Sequence, residues 1–218
     1  MSTFLAAYRY ALEHQDQVLQ ALGEHSVLVA IPLALGLLLG LPLGFWSAQS
    51  RQVSRVVINS FNGLRVIPSL AILFLAIPVL GLGWKSAILA LTLLVLPPIL
   101  IATEVGFRSL NPAVQEAAVG MGMSRFTRLW SVEIPLALPW IVSGIKTALV
   151  EAISSATLAA FVGAGGFGSF IVLGFALYDP SLLLVGAIPV ATLALGAEVG
   201  LSSLQHYLQP GSSSGNKT

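Results

Sequence analysis

Cysteine is absent from the 218 residues, and only 9% of them are charged. The first absence excludes disulfides, thiolate metal ligands and a thiol nucleophile. The second lies far below the quarter or so of charged residues found in a soluble domain. A phosphate-binding loop is missing too: "GAGGFG" carries glycines, but no Lys follows them. The three histidines, His14, His25 and His206, lack metal-ligand spacing and fall outside the apolar runs. No serine stands in a nucleophile motif. The net charge of +1 points to no partner, and no nucleic acid is expected. The chain is therefore not expected to be an enzyme, to hydrolyse ATP or to hold a metal or cofactor of its own.

What is present is apolar sequence, 56% of the chain. Five runs are long enough for a bilayer core, which takes about 20 residues. They cover about Ser26 to Ala48, Val57 to Leu80, Ser86 to Thr103, Pro135 to Ala160 and Ser181 to Ser203. Runs such as "LVAIPLALGLLLGLPLGFW" are continuous rather than alternating. That excludes barrel strands and requires helices, which satisfy their own backbone in lipid. The expected fold is all-α, a polytopic membrane protein of five spans. The Gly-rich stretch 161–179 reads as a loop and a short helix at the membrane surface, with a sixth span as the alternative. Residues 1–25 mix charges, unlike a signal peptide. They read as an interfacial amphipathic segment with Leu5, Tyr8, Leu12, Leu19 and Leu22 on one side. Residues 26–208 form the membrane domain, and 209–218, "QPGSSSGNKT", a flexible tail.

Lys and Arg set the orientation. With the N-terminus outside, the inner segments hold Arg51, Arg55, Arg108, Arg125, Arg128 and Lys217, and the outer ones hold only Arg9 and Lys85. The positive-inside rule favours this arrangement and a cytoplasmic C-terminus. The longest polar loop, about 104–134, is then cytoplasmic. Asn111-Pro112 is a helix start, Ser124 caps a second short helix "RFTRLWSVE", and Pro135 stops it before the next span. Phe126, Leu129 and Trp130 give this hairpin an apolar side. Small residues Ala117, Ala118 and Gly122 allow another surface to approach.

The spacing Glu116-Ala117-Ala118, three residues, Gly122, nine residues, Val132, one residue, Ile134-Pro135 resembles the cytoplasmic "EAA" loop of ATP-binding-cassette (ABC) importer permeases. "IPSLAILFLAIPVLGLG", "EAAVGMGMSRFTRLWSVEIPLALP" and "GIKTALVEAISSATLAAFVGAGGFG" look like permeases for quaternary ammonium osmoprotectants: glycine betaine, choline, carnitine and relatives. The likeness covers roughly Val56 to Leu204. It implies the type I importer permease fold shared with methionine permeases, in a bacterial cytoplasmic (inner) membrane. It also implies a separate ABC ATPase that binds ATP-Mg, a second permease subunit and an extracytoplasmic substrate-binding protein. Glu116 would contact the ATPase, and Gly122 would allow the sharp turn. "LPPILIATE" and Glu151 depart from the osmoprotectant pattern. A methionine or other small-solute permease is the nearest alternative. A stand-alone secondary transporter or channel is the alternative of another class, set against by the docking loop and the lack of an internal repeat.

Charges inside spans are costly and invite a functional reading. Arg65 can snorkel to lipid phosphates. Lys146 and Glu151 lie about 140° apart around a helix and are poorly placed to pair. Lys146, Glu151, Ser155 and Thr157 are the candidates for the substrate pathway, with a structural role for Glu151 equally open. Glu198 reads as a bonded interfacial carboxylate. The stripe Gly144, Ala148, Ala152, Ser155, Ala159 suits close helix packing. Because the chain has no cysteine, topology is directly testable. A cysteine placed at Ser2 is expected to react with an impermeant maleimide on intact cells, and one at Ser213 only after permeabilisation. The reverse pattern would invert the orientation.

Overall fold

The computed structural model describes residues 3–208, so the expected tail at 209–218 lies outside the described residues. Ten α-helices are present among them. They are α1 (Thr3–Glu13), α2 (Gln15–Ala48), α3 (Arg51–Val66), α4 (Ser69–Leu80), α5 (Trp84–Arg108), α6 (Pro112–Gly120), α7 (Arg125–Arg128), α8 (Ile134–Ala156), α9 (Gly168–Ala176) and α10 (Pro180–Leu208). A π-helical turn, Leu129–Glu133, joins α7 to α8, and a 3-10 turn, Thr157–Val162, follows α8. Four stretches are long and apolar enough to cross a membrane, and a fifth if the bent pair α3–α4 is one span.

Helix α5 is the centre. It packs between α2 and α8, and α10 packs on the far side of α8. Lipid supplies no hydrophobic drive between helices, so close packing must hold them, and small residues permit it. On α2 the small residues recur every four positions. A methyl group at Gly36 would sit 2.7 Å from Val95, at Gly40 2.9 Å from Ile99, and at Gly44 2.6 Å from Thr103 and 2.7 Å from the Leu100 carbonyl. On α8, Gly144 lies against Ala102 and the Pro98 carbonyl of α5. Ala148, Ala152 and Ala156 of the same helix are fully buried. The expected stripe therefore packs on α5 at Gly144, Ala148 and Ala152, but the buried row continues through Ala156 rather than Ser155, which is half-buried.

Several boundaries differ from expectation. The first long helix begins at Gln15 rather than Ser26, and the break falls at His14 (φ −122°, ψ 41°). Polar residues of its first turns are satisfied: the Gln20 amide donates to Glu24 at 2.8 Å, and Glu24 accepts from the Gly166 N–H at 2.8 Å. His25, expected outside the spans, is inside α2 and fully buried.

The second span is not one straight helix. Helices α3 and α4 meet at 98°. Pro68 has no N–H to offer and forces its predecessor out of helical backbone. Ile67 accordingly takes ψ 128°. In the fourth span, Pro135 does not stop the preceding helix. It follows the π turn, which the Ile134 N–H closes on the Leu129 carbonyl, and this local widening lets the helix run through from Arg125 past the proline.

Between the fourth and fifth spans, α9 has nine residues, about 13 Å, too short to cross. Gly163, Gly165 and Gly166 all have positive φ and form the loop before it. The start of α10 is capped by Asp179, which accepts from the Ser181 hydroxyl at 2.5 Å and the Ser181 N–H at 2.8 Å. These bonds, the hydroxyl's first, hold the Asp179 carboxyl below its usual pKa.

Gly44→Val is expected to lower the melting temperature in detergent, because the backbone carbonyl of Leu100 cannot yield. Overpacking of this kind costs about 1–3 kcal/mol. Gly23→Ala, where nothing lies within 4 Å, should leave it unchanged. Equal melting curves for both would remove the glycine stripe from the account.

Candidate coupling surface and membrane cavity

The segment between α5 and α8 is a built hairpin. Asn111 accepts from the Ala113 N–H at 3.0 Å, and Pro112 occupies the first helical turn of α6. Helix α6 ends in a complete Schellman motif. The Met123 N–H donates to the Ala118 carbonyl at 3.1 Å and the Gly122 N–H to the Val119 carbonyl at 2.9 Å. Gly122 holds φ +76°, a conformation that costs a side-chain-bearing residue about 1–2 kcal/mol. Ser124 then caps α7 by accepting from the Thr127 N–H at 3.1 Å.

Glu116 and Ala117 are exposed on α6 and Gly122 on the turn. Ala118 differs from expectation: it is 1% exposed and seats the hairpin on its own chain rather than meeting another surface. Val132 and Ile134 are half-buried in the π turn and the start of α8, and Pro135 is exposed. Val119 (55% exposed), Met121 (69%), Phe126 (71%) and Trp130 (57%) make the outer surface apolar. Two buried carboxylates fix the base. Glu133 accepts from Arg128 at 2.7 Å. Glu104, on α5, bonds Arg108 at 3.1 Å and accepts from the Ser54 hydroxyl of α3 at 2.8 Å.

The charged residues of the fourth span part company. Lys146 donates to Glu198 at 2.8 Å and to Ser202 at 3.2 Å, tying α8 to α10. Glu198 is the bonded carboxylate expected of it, with its partner on another helix. Glu151 turns to a different space. It lines a cavity of about 290 Å³ with Arg65, Ile67, Pro68 and Ser69 at the α3–α4 bend. Arg65 also lines a second cavity of about 260 Å³, walled by Trp140, Ser143 and Thr147. Of the four pathway candidates, only Glu151 borders either space. Lys146 is engaged elsewhere, Ser155 is half-buried, and the Thr157 hydroxyl donates to the Ser154 carbonyl at 2.7 Å.

Residues 40–213 match the family described as the binding-protein-dependent transport system inner membrane component. The chain belongs to that family. Among curated proteins, this permease is 39% identical to the carnitine transport permease protein OpuCB of Listeria monocytogenes over 91% of both chains. It is 37% identical to the glycine betaine/carnitine/choline transport system permease protein OpuCB of Bacillus subtilis over 89% of both. Among solved structures, the permease resembles a chain of the inward-facing MetNI methionine ABC transporter. The TM-score is 0.80 at 21% identity, over 89% of this chain and 97% of that one. That likeness carries the type I fold.

Two features of the permease were not legible beforehand. Glu24 reaches the Gly-rich loop, crowding Gly165 and accepting from Gly166. His25 packs its ring on Phe167, centroids 5.6 Å apart. The signal was only a Glu-His pair ahead of an apolar run and three glycines 140 residues on. The Lys146–Glu198 tie gives a direct test. Lys146→Met is expected to lower the melting temperature, since it leaves a carboxylate on a span without its cation. Adding Glu198→Leu should recover part of the loss. A double variant that loses the sum of the two single changes would show that the groups are not coupled.

Proposed function

We propose that this chain is the membrane-spanning permease of an ABC importer that carries a quaternary ammonium osmoprotectant such as glycine betaine, choline or carnitine. The cargo reading follows the relatives named above, carnitine and glycine betaine/carnitine/choline permeases similar along nearly the whole chain. The chain acts as a transport subunit rather than an enzyme. An ATPase subunit would supply the energy, and an extracytoplasmic binding protein would deliver the solute. A second permease subunit, identical or related, would complete the pathway. The N-terminus is taken as outside and the C-terminus as cytoplasmic.

The observation that carries this reading is the hairpin. It presents exposed Glu116 beside apolar side chains on a rigid, fully capped turn. A mere connector needs neither the caps nor the exposed apolar area, whose burial is worth about 25 cal/mol per Å². The same hairpin is mechanically joined to the span behind it. From Arg125 the helix runs through the π turn and α8 without a break to Ala156. A displacement of α6 and α7 by a closing ATPase is therefore handed to α8 as a lever, and α8 carries Glu151. Glu104 and its bonds to Ser54 and Arg108 brace α3 against α5 at the same end.

Reconstituted with its ATPase and loaded binding protein, the wild type is expected to take up glycine betaine only with ATP on the ATPase side. Glu116→Arg should abolish uptake while leaving the melting temperature of the permease in place. Gly122→Val should weaken co-purification of the ATPase several-fold, and Gly120→Ala, with open space around it, should not. Uptake that survives Glu116→Arg would remove the role given to that residue. Uptake without ATPase or ATP would overturn the importer reading. Uptake of methionine in place of betaine would keep the machine and refute the cargo.

A further inference from the structure

The cavity at the α3–α4 bend has two features that a gap between packed helices does not require. Its wall carries a cation and an anion, Arg65 and Glu151, and these come from helices far apart in sequence. It is also bounded by the broken backbone itself, from Leu64 to Ser69. A break of this kind leaves a carbonyl end on α3 and an amide end on α4 without helical partners. The first amides of α4 bear partial positive charge and the last carbonyls of α3 partial negative charge. The last residues of α3, Leu64 to Val66, and the first of α4, Ser69, line the same space as the two side chains.

The face of α8 that looks this way is polar over three turns. Ser143, Thr147, Glu151 and Ser154 succeed one another at spacings of four, four and three residues, and Thr147 and Ser154 are exposed. The adjoining face, with Gly144, Ala148 and Ala152, is buried on α5. Thr147 and Ser154 return their hydroxyls to the Ser143 and Val150 carbonyls at 3.0 Å, so the group on this face that does not suit lipid is the Glu151 carboxylate. It suits a water-accessible path. Arg65 borders both this cavity and the one beside Trp140 and Thr147, so the two spaces adjoin at its side chain.

We propose that this cavity is a transit site for a zwitterionic solute, with Arg65 and the amide end of α4 receiving a carboxylate and Glu151 receiving a quaternary ammonium group. The assignment rests on the importer reading above and names residues within it. A cavity of about 290 Å³ is on the scale of a small solute, at the lower end of ligand-site volumes. The charge pair also sorts solutes. A betaine or carnitine uses both poles, whereas choline, which lacks the carboxylate, uses only the pole at Glu151. Arg65 is then a specificity-determining residue, and Glu151, where this chain departs from the osmoprotectant pattern, is its own anion for any cargo with a cationic head.

The experiment compares uptake of glycine betaine, choline and methionine by proteoliposomes holding the complete importer, at saturating loaded binding protein. Variants are Arg65→Gln, Arg65→Lys, Glu151→Gln and Glu151→Asp, each checked for an unchanged melting temperature and ATPase co-purification. Arg65→Gln is expected to slow betaine at least tenfold and leave choline within twofold, with Arg65→Lys restoring most betaine uptake. Glu151→Gln should slow both cargoes at least tenfold, and Glu151→Asp should recover part. An Arg65→Gln variant that slows betaine and choline equally, or neither, would overturn the assignment, as would a Glu151→Gln variant that transports normally. If the wild type carries methionine instead, Arg65→Gln should slow that zwitterion likewise, so the cargo reading fails and the site stands. A wild type that carries choline alone would retain the cargo class and refute the zwitterion site. A wild type that carries none of the three, nor carnitine, would refute both.

Discussion

The backbone of α5 is approached from two sides, by α2 and by α8, at distances that leave no room for a methyl group. Gly36, Gly40 and Gly44 make one contact, and Gly144 makes the other. In lipid, helices gain little by hiding apolar area from neighbours that are as oily as they are, so dispersion at close range must hold them. Small residues at four-residue intervals are the device that permits it. Everything functional hangs from this three-helix slab. The hairpin leaves the end of α5 and returns into α8, and both of its roots are clamped by buried carboxylates, Glu104 and Glu133. The bent pair α3–α4 leans on the same α5, which fixes where the cavity can lie.

Rigidity and irregularity are divided between elements. Helix α8 is continuous with the hairpin through a π turn, so it can transmit movement. The neighbouring pair breaks at Ile67-Pro68, and the break opens on the cavity. Within lipid, irregular backbone is tolerated only where protein or water meets it. The break, the charge pair and the polar stripe of α8 fall together, which a set of lipid-facing helices would not produce. The separation of Lys146 from Glu151 belongs to the same logic. Five residues along a helix turn one toward α10 and the other toward the bend, so the first ties the bundle and the second lines the cavity.

Much of the hairpin could be read directly. Asn111, Pro112 and Ser124 are local caps whose chemistry depends on immediate neighbours, and they behave as local rules require. The sharp turn at Gly122 was implied by the family resemblance, and its φ of +76° agrees. Ala118 was misjudged because smallness alone does not say which surface a residue meets. Pro135 was misjudged because a proline in the first turn ends nothing when a π turn precedes it. The α3–α4 bend had its cause in plain view at Pro68, but hydropathy averages over a single break and reads one straight span.

The sequence alone settled the solvent, the helical class and the family, because these rest on composition, run length and a spaced motif. It settled the local turns for the same reason. Only the tertiary structure decided which small residues touch α5, that Lys146 binds Glu198, that Glu24 and His25 meet the Gly-rich loop, and that Arg65 and Glu151 share one cavity. These pairings join residues 42 to 142 positions apart. Their free energy depends on which faces meet in three dimensions, and helical periodicity fixes a face only relative to its own helix.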